Sequence, residues 1–408
     1  MCLLVLSLVA CGQRDRCEKG LCPSGTVCDP ETGLCKEKGG HTDDATIGFI
    51  GSFSAAAMPG LKQGFVGFVP EVKSLAFVER DHKQSRTTFI AGPAAGASQQ
   101  AAGEVSALAI GLEGTVHIAF SRKQDGTLWY AKRKAESWGV KQVSAFASGT
   151  VGDRIALTLW QGRPAVVVRT VPDHALVFCH MDSQGVWKKE VIPQPVAVVG
   201  ETQVDLGASL AVTTKAGSVA VLSYDAVARG LVLALRNDGG WLVERLAAAG
   251  SDPSGDVGLP CEIERGLAGE LTILYRDRRR NRLMVIRDDG GKVVKSQVSD
   301  GGYQVPKRPH RRRAVIGTAM SMVILPSGRL AVAYQDASRL RIKVAIENAF
   351  GKFTEVDVPN QGRPQVWPRL LSQVDGTLLV AFLELDPAVA PPSGRISTWT
   401  FPVTAGQP

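Results

Sequence analysis

Three aspartates recur in the same local setting, close behind a tyrosine that ends an apolar segment: Asp225, Asp277 and Asp336. Carboxylates that a fold brings together could bind a cation or accept hydrogen bonds from sugar hydroxyls. The alternative role is local, because an aspartate at the start of a turn accepts hydrogen bonds from the backbone that follows it. The sequence leaves both roles open.

Arginines concentrate in two segments, residues 276–282 and 307–313. Guanidinium groups bind carboxylate, sulfate and phosphate through paired hydrogen bonds, so these segments predict an anionic ligand. The alternative is a pair of solvated loops. The net charge of +8 is modest for 408 residues and does not by itself indicate a nucleic-acid-binding protein. The candidate ligand-binding arginines are Arg276, Arg279, Arg280, Arg312 and Arg313.

Sequence signatures of catalysis are missing. The chain has no HExxH, no glycine-rich phosphate loop after a strand and no GxSxG. His117, His174 and His180 share no spacing typical of metal ligands. We therefore predict no catalytic residue, no metal and no cofactor, and favour a binding protein over an enzyme.

Six of the eight cysteines lie before residue 36, and this crowding indicates an oxidising compartment. Cys179 and Cys261 are isolated, and we expect them to be separate buried thiols rather than a disulfide.

Residues 1–10 form an apolar run that is typical of a signal peptide and shorter than the about 20 residues that span a bilayer. Residues 8–11, Leu-Val-Ala-Cys, resemble the lipobox of bacterial lipoproteins, although no Lys or Arg precedes the apolar run. The resemblance implies that Cys11 is lipidated and that the protein is held at a membrane. Gly12 stands where an aspartate would retain such a protein at the inner membrane, so we expect the outer membrane. The alternative is a secreted protein with a free or paired Cys11.

Residues 11–36 hold too few apolar side chains to fold around a core, so cross-links must stabilise them. Residues 22–35 have the pattern Cys-Pro-x-Gly-x-x-Cys-x-x-x-x-Gly-x-Cys, which resembles EGF-like and related cysteine-rich modules. Four cysteines allow three pairings, and the sequence does not choose among them. Zinc is the alternative, but the spacings lack CxxC pairs. Residues 37–45 are polar and predict a linker. The cysteines expected in disulfides are Cys17, Cys22, Cys28 and Cys35.

Residues 46–403 contain a sequence unit that recurs along the chain. A glycine-marked turn before an apolar strand recurs at intervals of 48 to 59 residues, and further short strands follow each copy. Four short strands in a unit of about 50 residues are typical of a β-propeller blade. The repeated glycines are Gly114, Gly162, Gly217, Gly269, Gly328 and Gly376.

The number of blades depends on both ends of the repeat region. Residues 65–91 look like a degenerate first copy, which predicts seven four-stranded blades, with six as the alternative. The last copy lacks a fourth strand of its own. Residues 47–52 could supply it and close the ring, which removes two exposed sheet edges.

Several copies share the turn pattern [DN]-x-x-G-x-large, at Asp182, Asp288 and Asn348. The pattern resembles a degenerate Asp box, a structural turn of sialidase-like propellers. The resemblance implies that the Asp or Asn accepts backbone hydrogen bonds and that the large residue packs between blades. The arginine motif of sialidases has no counterpart in the first blade.

In a propeller, the loops after the second strand and those between blades emerge on one face, which would collect the aspartates and both arginine segments. We therefore expect a monomeric, envelope-anchored binding or scaffolding lipoprotein whose propeller face engages a protein or an anionic glycan, without nucleic acid. The alternative is a propeller-type glycoside hydrolase or lyase acting on polysaccharide. That alternative needs two of the aspartates about 5–10 Å apart in a pocket.

Overall fold

Short apolar strands joined by tight turns make up most of the described chain in the computed structural model. They form seven four-stranded antiparallel blades in a ring, which confirms the all-β propeller and the count of seven. The structure describes residues 26–29, 34–37, 41–81, 84–96, 99–134, 137–143, 146, 149–195, 204–215, 217–247, 256–289, 292–303, 312–360, 362–385 and 394–402.

A small hairpin precedes the ring, and the first four blades follow in chain order. The hairpin consists of β1 (Thr26–Asp29) and β2 (Leu34–Glu37). The first blade uses the second half of β3 (His41–Met58), β4 (Lys62–Val69), β5 (Ser74–Arg80) and β6 (Ser85–Ala91). The second has β7 (Ser106–Ile110), β8 (Val116–Arg122), β9 (Thr127–Lys134) and β10 (Ser137–Gln142). The third has β11 (Val151–Trp160), β12 (Arg163–Thr170), β13 (Leu176–Met181) and β14 (Trp187–Val191). The fourth has β15 (Leu206–Lys215), β16 (Ser218–Asp225), β17 (Gly230–Asn237) and β18 (Gly240–Ala247).

The remaining three blades complete the ring. The fifth has β19 (Val257–Arg265), β20 (Leu271–Asp277), β21 (Arg282–Asp289) and β22 (Lys292–Ser299). A two-stranded ribbon, β23 (Gly302–Tyr303) and β24 (Arg312–Arg313), lies before the sixth blade. The sixth has β25 (Ile316–Ile324), β26 (Leu330–Asp336), β27 (Arg341–Glu347) and β28 (Phe353–Asp357). The seventh has β29 (Gln365–Ser372), β30 (Thr377–Leu385) and β31 (Gly394–Pro402). Two 3₁₀ turns, Pro70–Val72 and Pro93–Ala95, are the helical elements of the described chain.

Strand β3 closes the ring. Its first half pairs antiparallel with β31, from His41 opposite Trp399 to Phe49 opposite Gly394, and is the fourth strand of the seventh blade. Its second half pairs with β4 and is the first strand of the first blade. This confirms the closure expected from residues 47–52, and the strand begins earlier, at His41.

The core consists of seven apolar clusters, one at each interface between neighbouring blades. At the closing interface, for example, Phe49 and Phe65 pack with Leu383 of the seventh blade, and all three are fully buried. Each such side chain contributes about 1.5–3 kcal/mol by leaving water. Because every blade packs between two others, its strands are apolar on both faces.

The turn pattern before the fourth strand has the expected geometry. The Asn348 carboxamide oxygen accepts hydrogen bonds from the N–H groups of Phe350 and Lys352, at 2.9 and 3.0 Å. Asp182 makes the equivalent bonds, and Gly185 adopts φ +78°. These bonds stabilise the hairpin locally, so the pattern belongs to the fold.

Large residues after these turns pack between blades, as expected. The Trp187 ring meets Tyr130 of the preceding blade edge-on at 5.4 Å. Trp241 meets Phe178 at 5.5 Å in the same way. Edge-to-face pairs of this kind stabilise an interface beyond the apolar area that they bury.

A bulge recurs near the beginning of the blades' first strands, at the rim of the central cavity. In six blades the register with the second strand shifts there, among the described strands. The residue directly after the pair that precedes the shift is glycine in five of these six blades. A Cβ at Gly258 or Gly317 would lie 2.4 or 2.3 Å from a leucine of the preceding blade. In the seventh blade this residue is Trp367, with φ +50°. The five glycines are Gly51, Gly152, Gly207, Gly258 and Gly317.

Candidate functional site

The first arginine segment forms the turn between β20 and β21. Arg279 and Arg280 are exposed there, and Arg278 pairs with Asp256 at 2.8 Å. Arg276 is half-buried and lines the central cavity. Its one hydrogen bond within the described chain is a long contact of 3.4 Å to the side chain of Asn281. A desolvated guanidinium without a carboxylate within ion-pair distance, again among the described residues, is suited to an external anion.

The second arginine segment is described only at its end. Arg312 and Arg313 form β24, whose backbone pairs with Tyr303 and Gly302, and their side chains lie outside the description, as do residues 304–311. The side chain of Asn281, in the first segment, donates a hydrogen bond to the carbonyl of Ala314 and accepts one from the N–H of Ile316. The two segments therefore meet on one face of the ring.

The three recurring aspartates are the last residues of the second strands in consecutive blades, and all three are buried. Asp225 accepts hydrogen bonds from the N–H groups of Val227 and Ala228 and pairs with Arg245 at 2.8 Å. The other two cap their turns through equivalent backbone bonds. This geometry matches the turn-capping alternative, and ligand binding by Asp225, Asp277 and Asp336 stays a prediction.

The first strands of all seven blades surround a central cavity of about 1130 Å³. A volume of this size accommodates a few sugar residues. Five arginines and four carboxylates line the cavity, and they come from the second, third, fifth and seventh blades: Arg154, Arg265, Arg276, Arg278, Arg369, Glu104, Asp153, Glu262 and Glu264.

Two of the cavity carboxylates belong to adjacent inward positions of β19. Glu262 is half-buried and accepts a hydrogen bond from the N–H of Met322 at 2.9 Å. Burial raises the pKa of Glu262 to about 7, against the opposing effect of the Arg369 charge. Glu264 is exposed to water in the cavity, and desolvation by the surrounding wall raises its pKa to about 7. Carboxyl groups shifted in this way are candidates for proton transfer or proton-dependent binding.

Arg369 of the seventh blade supplies positive charge to the cavity wall, two blades along the ring from Glu262. Its Nε donates a hydrogen bond to the carbonyl of Phe53 at 2.8 Å, which ties the seventh blade to the first. Burial lowers the pKa of Arg369, and the charge of Glu262 opposes that shift. The guanidinium stays charged at neutral pH. Its Nη1 donates a second hydrogen bond to a backbone carbonyl, that of Pro368, at 3.3 Å.

The remaining sequence candidates are the cysteines, and three of them lie outside the described residues. Cys11, Cys17 and Cys22 are among the residues that the structure does not describe. Cys28 and Cys35 are direct partners in the β1–β2 hairpin, and such partners have Cα atoms about 4.5–5.5 Å apart, within reach of a disulfide. Cys179 and Cys261 are free and buried, as expected.

Metal-ligand clusters and membrane-spanning helices are absent from the described part of the chain. There, no group of three or more His, Cys, Asp and Glu side chains is arranged to hold a metal ion. Within the same ranges, none of the helices has the length and apolar character needed to cross a bilayer.

The residues that sequence reasoning missed are Glu262, Glu264, Arg369 and Trp367. Each has a polar or bulky side chain inside or beside an otherwise apolar first strand. A signal was present, because the Val-Gly, Leu-Gly and Ile-Gly pairs that begin β11, β15, β19 and β25 mark the rim of the cavity in the sequence. Aligning the blades on those glycines would have shown which residues face the cavity.

Comparison with known proteins defines the fold class. No family model matches the chain, and no curated protein sequence matches it. Among solved structures, an ulvan lyase of family PL25 aligns with a TM-score of 0.53 and 11% identity, over 84% of this chain and 93% of that one. The polysaccharide lyase Uly1 aligns with a TM-score of 0.51 and 12% identity, over 88% and 91%.

A fungal alcohol oxidase of the AA5 family aligns with a TM-score of 0.53 and 11% identity, over 90% of this chain and 76% of that one. At such identities the likeness shows the fold alone. The chain is thus a seven-bladed β-propeller, in an architecture that polysaccharide lyases and an oxidase also use.

Proposed function

We propose that this protein binds an acidic polysaccharide at the arginine-rich face of its propeller, where the central cavity opens. The observation that carries the proposal is Arg276, a half-buried cavity arginine with no carboxylate within ion-pair distance among the described residues, beside the exposed Arg279 and Arg280. Guanidinium groups recognise the carboxylate or sulfate groups of such polymers. The net charge of +8 favours the approach of a polyanion.

Attachment to a membrane through Cys11 is part of this proposal, and the position at which β3 begins is compatible with it. Gly394, the first residue of β31, pairs with the last residue of the second strand β30, so it lies at the face that carries the arginine segments. Phe49 of β3 pairs with Gly394, and β3 runs towards this face from His41. His41 therefore lies at the face opposite the arginine segments. An outer-membrane lipid anchor at Cys11 would direct the arginine-rich face away from the bilayer.

Charge reversal tests the binding face. Replacement of Arg279, Arg280, Arg312 and Arg313 by Glu should abolish retention on heparin or pectate, while the thermal unfolding of the propeller changes little, because exposed charges contribute little to stability. Retention of the wild type should fall steeply with salt, since the Debye length is about 8 Å at physiological ionic strength.

A matched control reverses four exposed lysines of the outer rim, Lys141, Lys189, Lys295 and Lys352. The control has the same net charge and should keep most of the retention. Equal losses in the two variants would show that the arginine segments have no special role.

A second candidate function, cleavage of the bound polysaccharide, is favoured by Glu262 and Glu264. Both side chains line the cavity from the same strand, and the Cα atoms of residues two apart on a strand are separated by about 6.6–6.8 Å. Inverting glycosidases use two carboxyl groups that lie about 6.5–9.5 Å apart. With pKa values of about 7, one group can be protonated while the other is ionised. Assays for new reducing ends and for unsaturated uronates test this function, and Glu262→Gln should abolish any activity found. Activity retained by that variant would assign the chemistry elsewhere.

A further inference from the structure

The seventh blade departs from the pattern that five other blades share at the rim of the cavity. The bulge of the first strand places glycine at this position in five blades, and Trp367 occupies it in the seventh. Trp367 adopts φ +50°, a left-handed conformation that glycine enters freely and tryptophan does not. A side chain kept in an unfavourable backbone conformation suggests a role beyond the local fold.

The surroundings of Trp367 indicate what that role is. The side chain is half-buried, packs against the apolar cluster between the seventh and first blades, and lines the cavity. One part of the ring is therefore fixed by packing while another is presented to the cavity. A fixed aromatic surface at a cavity rim is a ready contact for a flat, partly apolar ligand.

Charge lies next to this surface. Arg369, two residues along the same strand, also lines the cavity, and its side chain donates hydrogen bonds to the backbone carbonyls of Phe53 and Pro368. Glu262 acts on it through space. A pyranose ring that carries a carboxylate or sulfate has an apolar C–H face for an indole and an anionic group for a guanidinium.

We propose that Trp367 is a stacking platform for one acidic pyranose unit of the polysaccharide and that Arg369 binds the anionic group of that unit. This inference rests on the proposed function and adds the subsite that selects the sugar. The indole contacts the apolar face of the ring. Five other blades have glycine at this position and offer no aromatic ring there, so the platform is placed on one side of the cavity.

Replacement of Trp367 separates this role from a structural one. Trp367→Gly installs the residue that five other blades use, and Trp367→Asn installs one that tolerates the left-handed conformation. Both variants should weaken the binding of an oligogalacturonide, measured by titration calorimetry, by about ten-fold, which corresponds to roughly 1.4 kcal/mol. Trp367→Phe should retain part of the affinity, because it keeps an aromatic face.

Intrinsic fluorescence gives an independent readout. Oligogalacturonide should change the emission of the wild type, and this change should be lost in Trp367→Gly and Trp367→Asn. Trp241→Gly is the matched control, because it removes an indole that packs on Phe178 and donates a hydrogen bond to Glu190. That control should unfold at a lower temperature and keep the ligand-induced change.

The outcomes distinguish the subsite from the proposed function. If the wild type binds the oligosaccharide and the Gly and Asn variants bind it equally well, with the same fluorescence change, the platform is wrong and the proposed function stands. If one of the two variants does not fold, the other and Arg369→Gln give the same decision. If the folded wild type binds no acidic glycan, the proposed function is wrong and the platform is wrong with it.

Discussion

Glu262 and Glu264 carry carboxyl groups into a cavity where water is partly excluded. Desolvation raises both pKa values to about 7 from the usual value near 4.5. A carboxyl group whose pKa is higher in the folded state binds more protons there than in the unfolded chain. Its stabilising contribution is therefore complete below about pH 4.5 and is lost as the pH rises towards 7.

Replacement of Glu262 by Gln tests this linkage at a single residue. Glutamine keeps an oxygen for the N–H of Met322 and cannot ionise. We expect Glu262→Gln to unfold a few degrees above the wild type at pH 8 and to show a smaller difference at pH 5, in thermal unfolding followed by circular dichroism. Glu113→Gln, at an exposed turn, is the control and should change neither value. A variant less stable than the wild type at pH 8 would contradict the linkage.

At the residue scale the sequence identified Arg276 and missed the rest of the cavity. Arg276 was found because it belongs to a dense arginine segment. Glu262 and Arg369 are single polar residues in apolar strands, and alternation alone does not tell whether such a residue faces a neighbouring blade or the cavity. Which side a residue faces depends on the bulge near the start of the first strand, because the bulge shifts the register of that strand with the second strand.

At the scale of elements, third strands are linked to neighbouring blades by ion pairs. Arg287 of β21 forms a bidentate pair with Glu347 of β27, at 2.8 and 2.6 Å. Arg236 of β17 pairs in the same way with Glu190 of β14, at 2.9 Å for both bonds. Bidentate geometry fixes the orientation of both side chains, so these pairs align blades that apolar contacts alone would allow to slide.

Removal of one partner should be costly at the more buried of these pairs. Glu347 is 5% exposed and also accepts a hydrogen bond from the N–H of Leu330. Glu347→Gln should lower the free energy of unfolding by about 2 kcal/mol in denaturant titration, because it leaves the Arg287 charge without a counterion. Lys123→Gln, which removes an exposed pair with Glu104, should change it by less than about 0.5 kcal/mol. Equal effects of the two substitutions would show that the blade-to-blade pair is not special.

Strands and the turns between them were predicted from the sequence better than the cavity residues were. Periodic glycines and apolar strands fixed the blades, and the Asp182 and Asn348 turns have the expected hydrogen bonds. Strand ends were less predictable. β3 extends from residue 41 because one strand serves two blades, and no local pattern marks the point where it passes from one sheet to the other.

At the scale of the whole molecule, closure by β3 places His41 on the face opposite the arginine segments. Lipidation at Cys11 would then hold the propeller with its proposed binding face outward. Expressed with a complete signal peptide in a Gram-negative host, the protein should incorporate labelled fatty acid and partition into detergent. Cys11→Ala should abolish both, and label that persists in this variant would contradict the anchor.

The central claim is that cavity arginines bind an acidic glycan, and Arg276 tests it most directly. Titration calorimetry of an oligogalacturonide against Arg276→Gln should give an affinity at least about ten-fold below that of the wild type. Arg278→Gln removes an arginine whose charge Asp256 already neutralises, and it should bind nearly as well as the wild type. An Arg276→Gln variant that folds and binds with unchanged affinity would contradict the claim.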